Sequence, residues 1–363
     1  MTGRSVAPAD VCLLMEGSYP YVAGGVSTWT HDLIRAHPDL RFHVVALVAD
    51  RRPRTPAYQL PPNVTGLSHV HLQDPDAGWP WTRRPRELFR GLEAEIARLQ
   101  QGGGLAEVEA VARLLAPRRG RIGRRVLLNS EEAFRMVVRL YRQSLPDASF
   151  LEYFWGLRAL MGGLFATLLA PMPPARVYHA ISTGYAGLFL ARARLETGRP
   201  ALLTEHGIYT NERRIEILMA EWLFEGSDTS LAVERKKRDL RDLWLDTFAS
   251  YSKACYDACD RIVTLYGGNQ EFQRRQGADP AKLRIIPNGI DYAGYSRVVR
   301  DPAPRPPTIA LIGRVVPIKD VKTYIRAAAL LREEIPDVQA LILGPTDEDP
   351  QYVEECQIGR AHV

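Results

Sequence analysis

Short apolar runs alternate with stretches of helical periodicity along most of the chain. Val11–Met15 (VCLLM) and Phe42–Val48 (FHVVALV) read as strands. Ser27–Ala36 between them reads as a helix, with Trp29, Leu33 and Ile34 at helical spacing. Val177–Ala180, Ala201–Thr204, Arg261–Leu265, Thr308–Ile312 and Val338–Leu343 are further strands. Most are continuous apolar runs, the pattern of strands buried on both faces of a parallel sheet. Strands that alternate with helices predict an α/β, doubly wound architecture.

The rhythm breaks between about Pro75 and Pro174. Arg86–Gln101, Leu105–Leu115 and Ser130–Leu145 are amphipathic helices, so this segment is expected to be a helical insertion in the first domain. Gly102–Gly104 is a joint between helices and not a phosphate loop, because no strand precedes it. Glu212–Leu223 and Ala232–Cys259 are long helical stretches. The first domain is expected to span 1–291. Residues 292–307 follow as a linker without regular structure, since four of its last six residues are proline. A second α/β domain opens at Thr308, and 308–357 is too short for more than its beginning. Residues 358–363, IGRAHV, spell the translation of a common sequencing-library adapter, so native sequence is expected to end near Cys356.

Composition narrows the class. The 363 residues are 25% charged and 46% apolar, a globular balance with room for two domains. The longest weakly polar run, Ala159–Ala170, is too short to cross a bilayer. The N-terminus lacks a signal-peptide core, and four cysteines make a poor disulfide framework, so a reducing, cytoplasmic setting is expected. The net charge of +5 is a mild excess. Its densest cluster, Pro117–Arg125 (PRRGRIGRR), reads as a solvated or membrane-apposed patch and not as a nucleic-acid site.

Four segments carry candidate chemistry. Glu16–Val26 (EGSYPYVAGGV) lies between a strand and a helix. There Gly24 and Gly25 either make a tight turn or let an anion approach the backbone. It has no G-x-G-x-x-G, so the dinucleotide fingerprint is missing. Thr204–Thr210 (TEHGIYT) ends a strand at the ligand-binding edge of the sheet and offers His206, with Glu205 beside it and His179 as a second choice. In Ile312–Asp320 (IGRVVPIKD), Arg314 follows a strand and Lys319 is expected to start the next helix. These are either two surface charges or a pair suited to a diphosphate. The D-x-D of Asp347 and Asp349 reads as a solvated turn, and the i,i+4 pair Cys255 and Cys259 as packing, not zinc.

In this order and spacing, EGSYPYVAGGVSTWTHDLI, HAISTGYAGLF, LLTEHGIYTNERRIEI, IIPNGID, LIGRVVPIKDVKTYIRAA and LILGPTDEDPQYVEEC resemble the GT-B glycosyltransferases of family 4. Within that family they resemble the subgroup serving Pel exopolysaccharide synthesis. The resemblance implies two Rossmann-like domains, the second incomplete, and retaining, metal-independent hexosyl transfer from a UDP-sugar to a glycan. It implies no further cofactor, and an inner-membrane synthase complex as partner. It assigns Gly24 and Gly25 to the donor phosphates, His206 (with Glu205) to the sugar, and Arg314 and Lys319 to the diphosphate. Asn288 and Gly289 fall at the hinge. The family's E-x7-E motif is not found, so the chain as written is expected to be inactive. A nucleotide-sugar epimerase of the same fold and a non-catalytic subunit of a synthase complex are the alternatives.

Overall fold

The computed structural model describes residues 8–219, 238–299, 303 and 305–361. Two compact units, Met1–Asn288 and Gly289–Val363, make up the chain.

The first unit is built on strands β1 (Ala9–Glu16), β2 (Phe42–Val48), β3 (Val64–His71), β4 (Ala175–Ala180), β5 (Ala201–Glu205), β6 (Arg261–Thr264) and β7 (Leu283–Ile285). They form one sheet in the order β3-β2-β1-β4-β5-β6-β7, and every pairing is parallel. Its helices are α1 (Gly25–Ala36), α2 (Pro85–Leu99), α3 (Leu105–Leu115), α4 (Arg124–Leu127), α5 (Glu131–Ser144), α6 (Phe150–Leu169), α7 (Tyr185–Thr197), α8 (Tyr209–Met219), α9 (Leu240–Ala258) and α10 (Gly267–Arg275). The expected helical stretch 212–223 runs in part, and 232–259 begins, in residues outside those described.

Alternation along the strands assigns the two faces. Leu13, Met15 and Val44 point to one side, where Ile34 of α1 and Tyr19 complete a small core. Cys12, Leu14, Val45 and Leu47 point to the other, into a large core shared with α2, α3, α5, α6, α7 and α9. The helices that interrupt the sequence rhythm therefore cover one face of the sheet. Helix α6 is the innermost of them: Tyr153, Leu157, Leu160, Met161, Leu164, Phe165 and Leu168 are all buried. No described helix is long and apolar enough to cross a membrane.

Two strands are invisible to the hydrophobic pattern. β3 is an edge strand with mostly half-exposed residues (VTGLSHVH), and β7 has three residues. The linker also differs from its expectation. Upstream of the prolines, Tyr292–Tyr295 forms a helical turn, α11, capped where the Gly294 amide donates to Asp291 Oδ1.

In the second unit β8 (Thr308–Ile312) pairs in parallel with β9 (Gln339–Leu343) through α12 (Val321–Glu334), and α13 (Pro350–Ala361) follows. Val315, Val321, Tyr352 and Cys356 form its core. Tyr324 Oη donates to the carbonyls of Ile309 and Leu341, tying the crossover helix to both strands. Leu341, Ile342 and Leu343 are exposed.

Candidate functional site

The strand order reverses between β1 and β4, because the chain winds outward from β1 through β2 and β3 and then crosses back to β4. Open parallel sheets bind ligands at the carboxyl ends of the strands flanking such a reversal. Three side chains meet there. Glu16 ends β1, and its Oε1 accepts a 2.6 Å hydrogen bond from Tyr209 Oη. Its Oε2 accepts from the Ala186 amide, one of the free N–H groups of the first turn of α7. Arg213 lies 3.9 Å from Glu16, its guanidinium over the Tyr209 ring. Gly184 permits this packing, since a Cβ there would lie 2.3 Å from the Tyr209 ring and 2.6 Å from Glu16 Oε2. Burial raises the Tyr209 phenol well above its ordinary value, and the Glu16 charge adds to the effect.

One strand away, β5 ends in Glu205, and His206 follows. Glu205 is 1% exposed. Its Oε2 accepts from Tyr256 Oη and Gln273 Nε2, both at 2.9 Å, and its Oε1 from the Tyr209 amide and Thr183 Oγ1, both at 3.4 Å. Burial raises its carboxyl above the ordinary range, opposed by these four donors. The side chain is enclosed, so Glu205 acts on its surroundings by fixing Tyr256, Gln273 and the start of α8.

His206 is different. Neither ring nitrogen has a partner among the described residues, although both are shielded from solvent. The ring packs edge-on against Trp29 of α1, centroids 4.7 Å apart, and burial lowers its pKa. Its backbone is held in place: Asn269 Nδ2 reaches the His206 carbonyl at 3.4 Å and Thr264 Oγ1 the Glu205 carbonyl at 3.2 Å. His179 is enclosed beside it, bonded to Thr204 Oγ1 at 2.8 Å. Burial, then the neighbouring His206, brings its pKa down to about 4.

Gly24 is the residue before α1, and Gly25 opens that helix without a side-chain cap. Both glycines are exposed, and a Cβ at either would meet nothing within 4 Å, so the chain can be approached closely there. The Gly24 amide is 3.4 Å from Tyr58 Oη. The structure thus joins α1 to His206, the residue after Glu205, through Trp29.

Arg314 and Lys319 lie in the second unit, in the loop after β8. Lys319 does not start a helix: it ends the 3-10 turn Pro317–Lys319, and α12 begins at Val321, because Asp320 adopts a left-handed conformation. Arg314 holds Glu348 with both carboxylate oxygens, at 2.6 and 2.8 Å. Asp349 Oδ1 accepts from the Tyr352 amide at the start of α13. The acidic DED loop is therefore engaged with Arg314 and a helix cap. Among the described residues no group of three His, Cys, Asp or Glu is gathered as for a metal. Gly344 lets this loop come close: a Cβ there would lie 1.9 Å from the Gly313 carbonyl. Cys255 and Cys259 are free and buried, sulfurs 4.0 Å apart.

The pattern of the sequence did not single out Trp29, Glu16, Tyr209 or Arg213. Their signal was present in EGSYPYVAGGV and TEHGIYTNERR, but only the contact across the sheet gives these residues roles.

A 100-residue stretch is 33% identical to the D-inositol 3-phosphate glycosyltransferase of Mycolicibacterium vanbaalenii. That stretch is 24% of this chain and 20% of the relative, so the chain spans about a fifth of the curated relative it matches. The chain also resembles HepE of Anabaena, solved with UDP and glucose, at a TM-score of 0.46 and 10% identity, over 98% of this chain and 66% of that one. A UDP-glucosyltransferase of Polygonum tinctorium matches at a TM-score of 0.35 and 10% identity, over 94% and 73%. Residues 9–281, nearly the whole first unit, match the family described as Domain of unknown function (DUF3492), and the chain belongs to that family.

Proposed function

We propose that this chain is the GT-B, family 4 glycosyltransferase of a Pel-type system, PelF, or a piece of it. In this reading it transfers a hexose or N-acetylhexosamine from a UDP-sugar to a growing exopolysaccharide, with retention and without metal. The observation that carries the proposal is the switch point itself. An imidazole with no hydrogen-bond partner among the described residues packs on α1, a helix opened by two exposed glycines, on the strand ends where a parallel sheet binds ligands. The partial identity to an inositol phosphate glycosyltransferase supports the same class.

Glycosyl transfer breaks the bond between the anomeric carbon and a phosphate oxygen, and charge builds on the departing diphosphate. Fixed cations and helix N-termini stabilise that charge. Gly24 and Gly25 give the donor phosphates access to the first amides of α1. Arg314 and Lys319 bind the diphosphate, and Arg314 is already oriented by Glu348. His206 meets the sugar at the end of β5, and Glu205 holds Tyr256, Gln273 and the start of α8 behind it. The glycan acceptor, a cytoplasmic location and an inner-membrane synthase complex as partner belong to the same proposal.

The test is UDP release from UDP-glucose and UDP-N-acetylgalactosamine, with and without a glycan acceptor. Release that depends on the acceptor is expected, and isomerisation of the donor sugar with UDP still attached refutes the reading in favour of an epimerase. Arg314→Ala and Lys319→Ala should each weaken UDP binding about ten- to a hundredfold, the loss of a charge-assisted contact of ~1.5–3 kcal/mol. Unchanged binding in both removes them from the site.

A further inference from the structure

The basic cluster at Pro117–Arg125 is not absorbed by the site above. It folds into the loop before α4 and α4 itself, where the amides of Arg124 and Arg125 donate to the carbonyls of Asp76 and Ala77. A cavity of about 420 Å³ opens between this loop and α6, and Arg124, Arg125, Arg158, Gln73, Asn129 and Trp155 line it. No acidic side chain is among the lining residues.

The three guanidinium groups differ in their partners. Arg124 is paired with Asp74, which also holds Arg51. Arg158 is half-buried and bonded only to neutral acceptors, the Leu128 carbonyl and Asn129 Oδ1, both at 2.6 Å. Burial, and then the Arg124 charge, lower its pKa, which marks an uncompensated positive group. Arg125 is exposed and has no side-chain partner among the described residues. The cavity therefore carries positive charge that the protein does not neutralise.

The rim is aromatic. Leu151, Trp155 and Arg158 stand at i, i+4 and i+7 on α6, a single stripe along the helix. Leu151 is 65% exposed, Trp155 58% and Phe134 of α5 49%. Phe150 and Phe154 link Phe134 to Trp155 in one edge-packed group. On the neighbouring loop Trp79 and Trp81 are also exposed, and Arg121 lies over the Trp79 ring. A soluble anion needs guanidinium groups but no exposed apolar rim. Aromatic side chains bordering a cationic cavity match the interfacial layer of a membrane, where rings sit at headgroup depth and Arg meets phosphate.

We propose that the α4–α6 face docks on an anionic lipid surface, with the Arg124–Arg125–Arg158 cavity taking a headgroup phosphate and Trp155, Leu151 and Phe134 entering the interface. Binding is peripheral, and it does not rest on the function proposed above.

Co-sedimentation tests this with the full chain and three probes: phosphatidylcholine vesicles, mixed phosphatidylcholine–phosphatidylglycerol vesicles, and inorganic phosphate. The chain should bind the mixed vesicles, release with added salt, and ignore phosphatidylcholine. Removing a charge near such a surface costs roughly fivefold in partitioning, so the reversal Arg125→Glu should cost about tenfold or more. Trp155→Ser should weaken binding without changing its salt dependence. Both side chains are exposed, so the variants should melt as the parent does. The same reversal at Arg332, in the second unit, should change nothing. Failure to bind mixed vesicles, equal binding to neutral ones, or equal losses at Arg125 and Arg332 would overturn the proposal. So would a phosphate-induced rise in melting temperature that depends on Arg125 without vesicle binding, since that identifies a soluble-phosphate site.

Discussion

Replacing Glu205 tests how the floor of the site is held. Its carboxylate collects four donors while 1% exposed, so two opposing effects act on its proton. Burial disfavours the charge and the donors favour it. Burial prevails, and the carboxyl titrates above its ordinary value. The folded state thus holds this proton more tightly than the unfolded chain does. The resulting stability is fully present below the unfolded value, about 4.3, and is lost as pH rises through the folded one. Glu205→Gln removes the titration. Gln273 can turn its amide to present Oε1, which now has no partner, to the new NH2, so the cost is about one hydrogen bond, ~1–2 kcal/mol. Glu205→Leu leaves the two close donors, Tyr256 Oη and Gln273 Nε2, without acceptors at ~1–3 kcal/mol each, or ~2–6 kcal/mol together. The assay is thermal unfolding by circular dichroism of parent and variants across acidic to neutral pH. The melting-temperature gap between parent and Glu205→Gln should shift in favour of the variant as pH rises. A constant gap refutes the raised carboxyl. A gap that widens with pH means the four donors outweigh burial and the carboxylate is stabilised as an anion.

Arg192 is wholly buried and binds the Thr167 and Ala170 carbonyls at 2.8 Å each, together with Glu196 at 2.9 Å. Arg192→Met should destabilise the first unit by ~2–6 kcal/mol in urea unfolding, because the Thr167 and Ala170 carbonyls at the end of α6 lose their donor at ~1–3 kcal/mol each, while Glu196 keeps Arg119; an unmoved midpoint refutes it. His206→Ala should cost little stability, ~0.5–1.5 kcal/mol for the Trp29 contact, because its nitrogens have no hydrogen-bond partner among the described residues. On the proposed function it should lower turnover more than UDP-sugar affinity, and steady-state kinetics showing the reverse would move His206 away from the sugar.

What the sequence makes legible follows from how local each signal is. β1 and β2 are continuous apolar runs, and burial on both faces of a parallel sheet requires that pattern; β8 carries a similar run although its residues are exposed or half-exposed. β3 lies at the edge, so nearly all of its residues meet solvent at least in part and the period-two signal fades into VTGLSHVH. The strand-to-helix break after residue 75 was visible, but its meaning was not. Only the packing of α6 against the large core identifies those helices as the cover of one sheet face.

The site divides along the same line. Glu205 and His206 were found because they end an apolar strand, and a strand's carboxyl end is a position that can be read locally. The bond from Tyr209 to Glu16 joins residues 193 positions apart, and nothing in either segment specifies the other. It arises from the β1–β4 reversal, which brings the end of the first strand under the first turn of α7. Strand ends can thus be nominated from sequence, whereas the choice between a catalytic and a positioning carboxylate cannot. Glu205 and Glu16 both follow apolar strands, and both are held by tyrosine hydroxyls. Only the enclosure of Glu205 by four donors, against the single tyrosine, the α7 amide and the distant arginine at Glu16, separates a floor from a wall of the site.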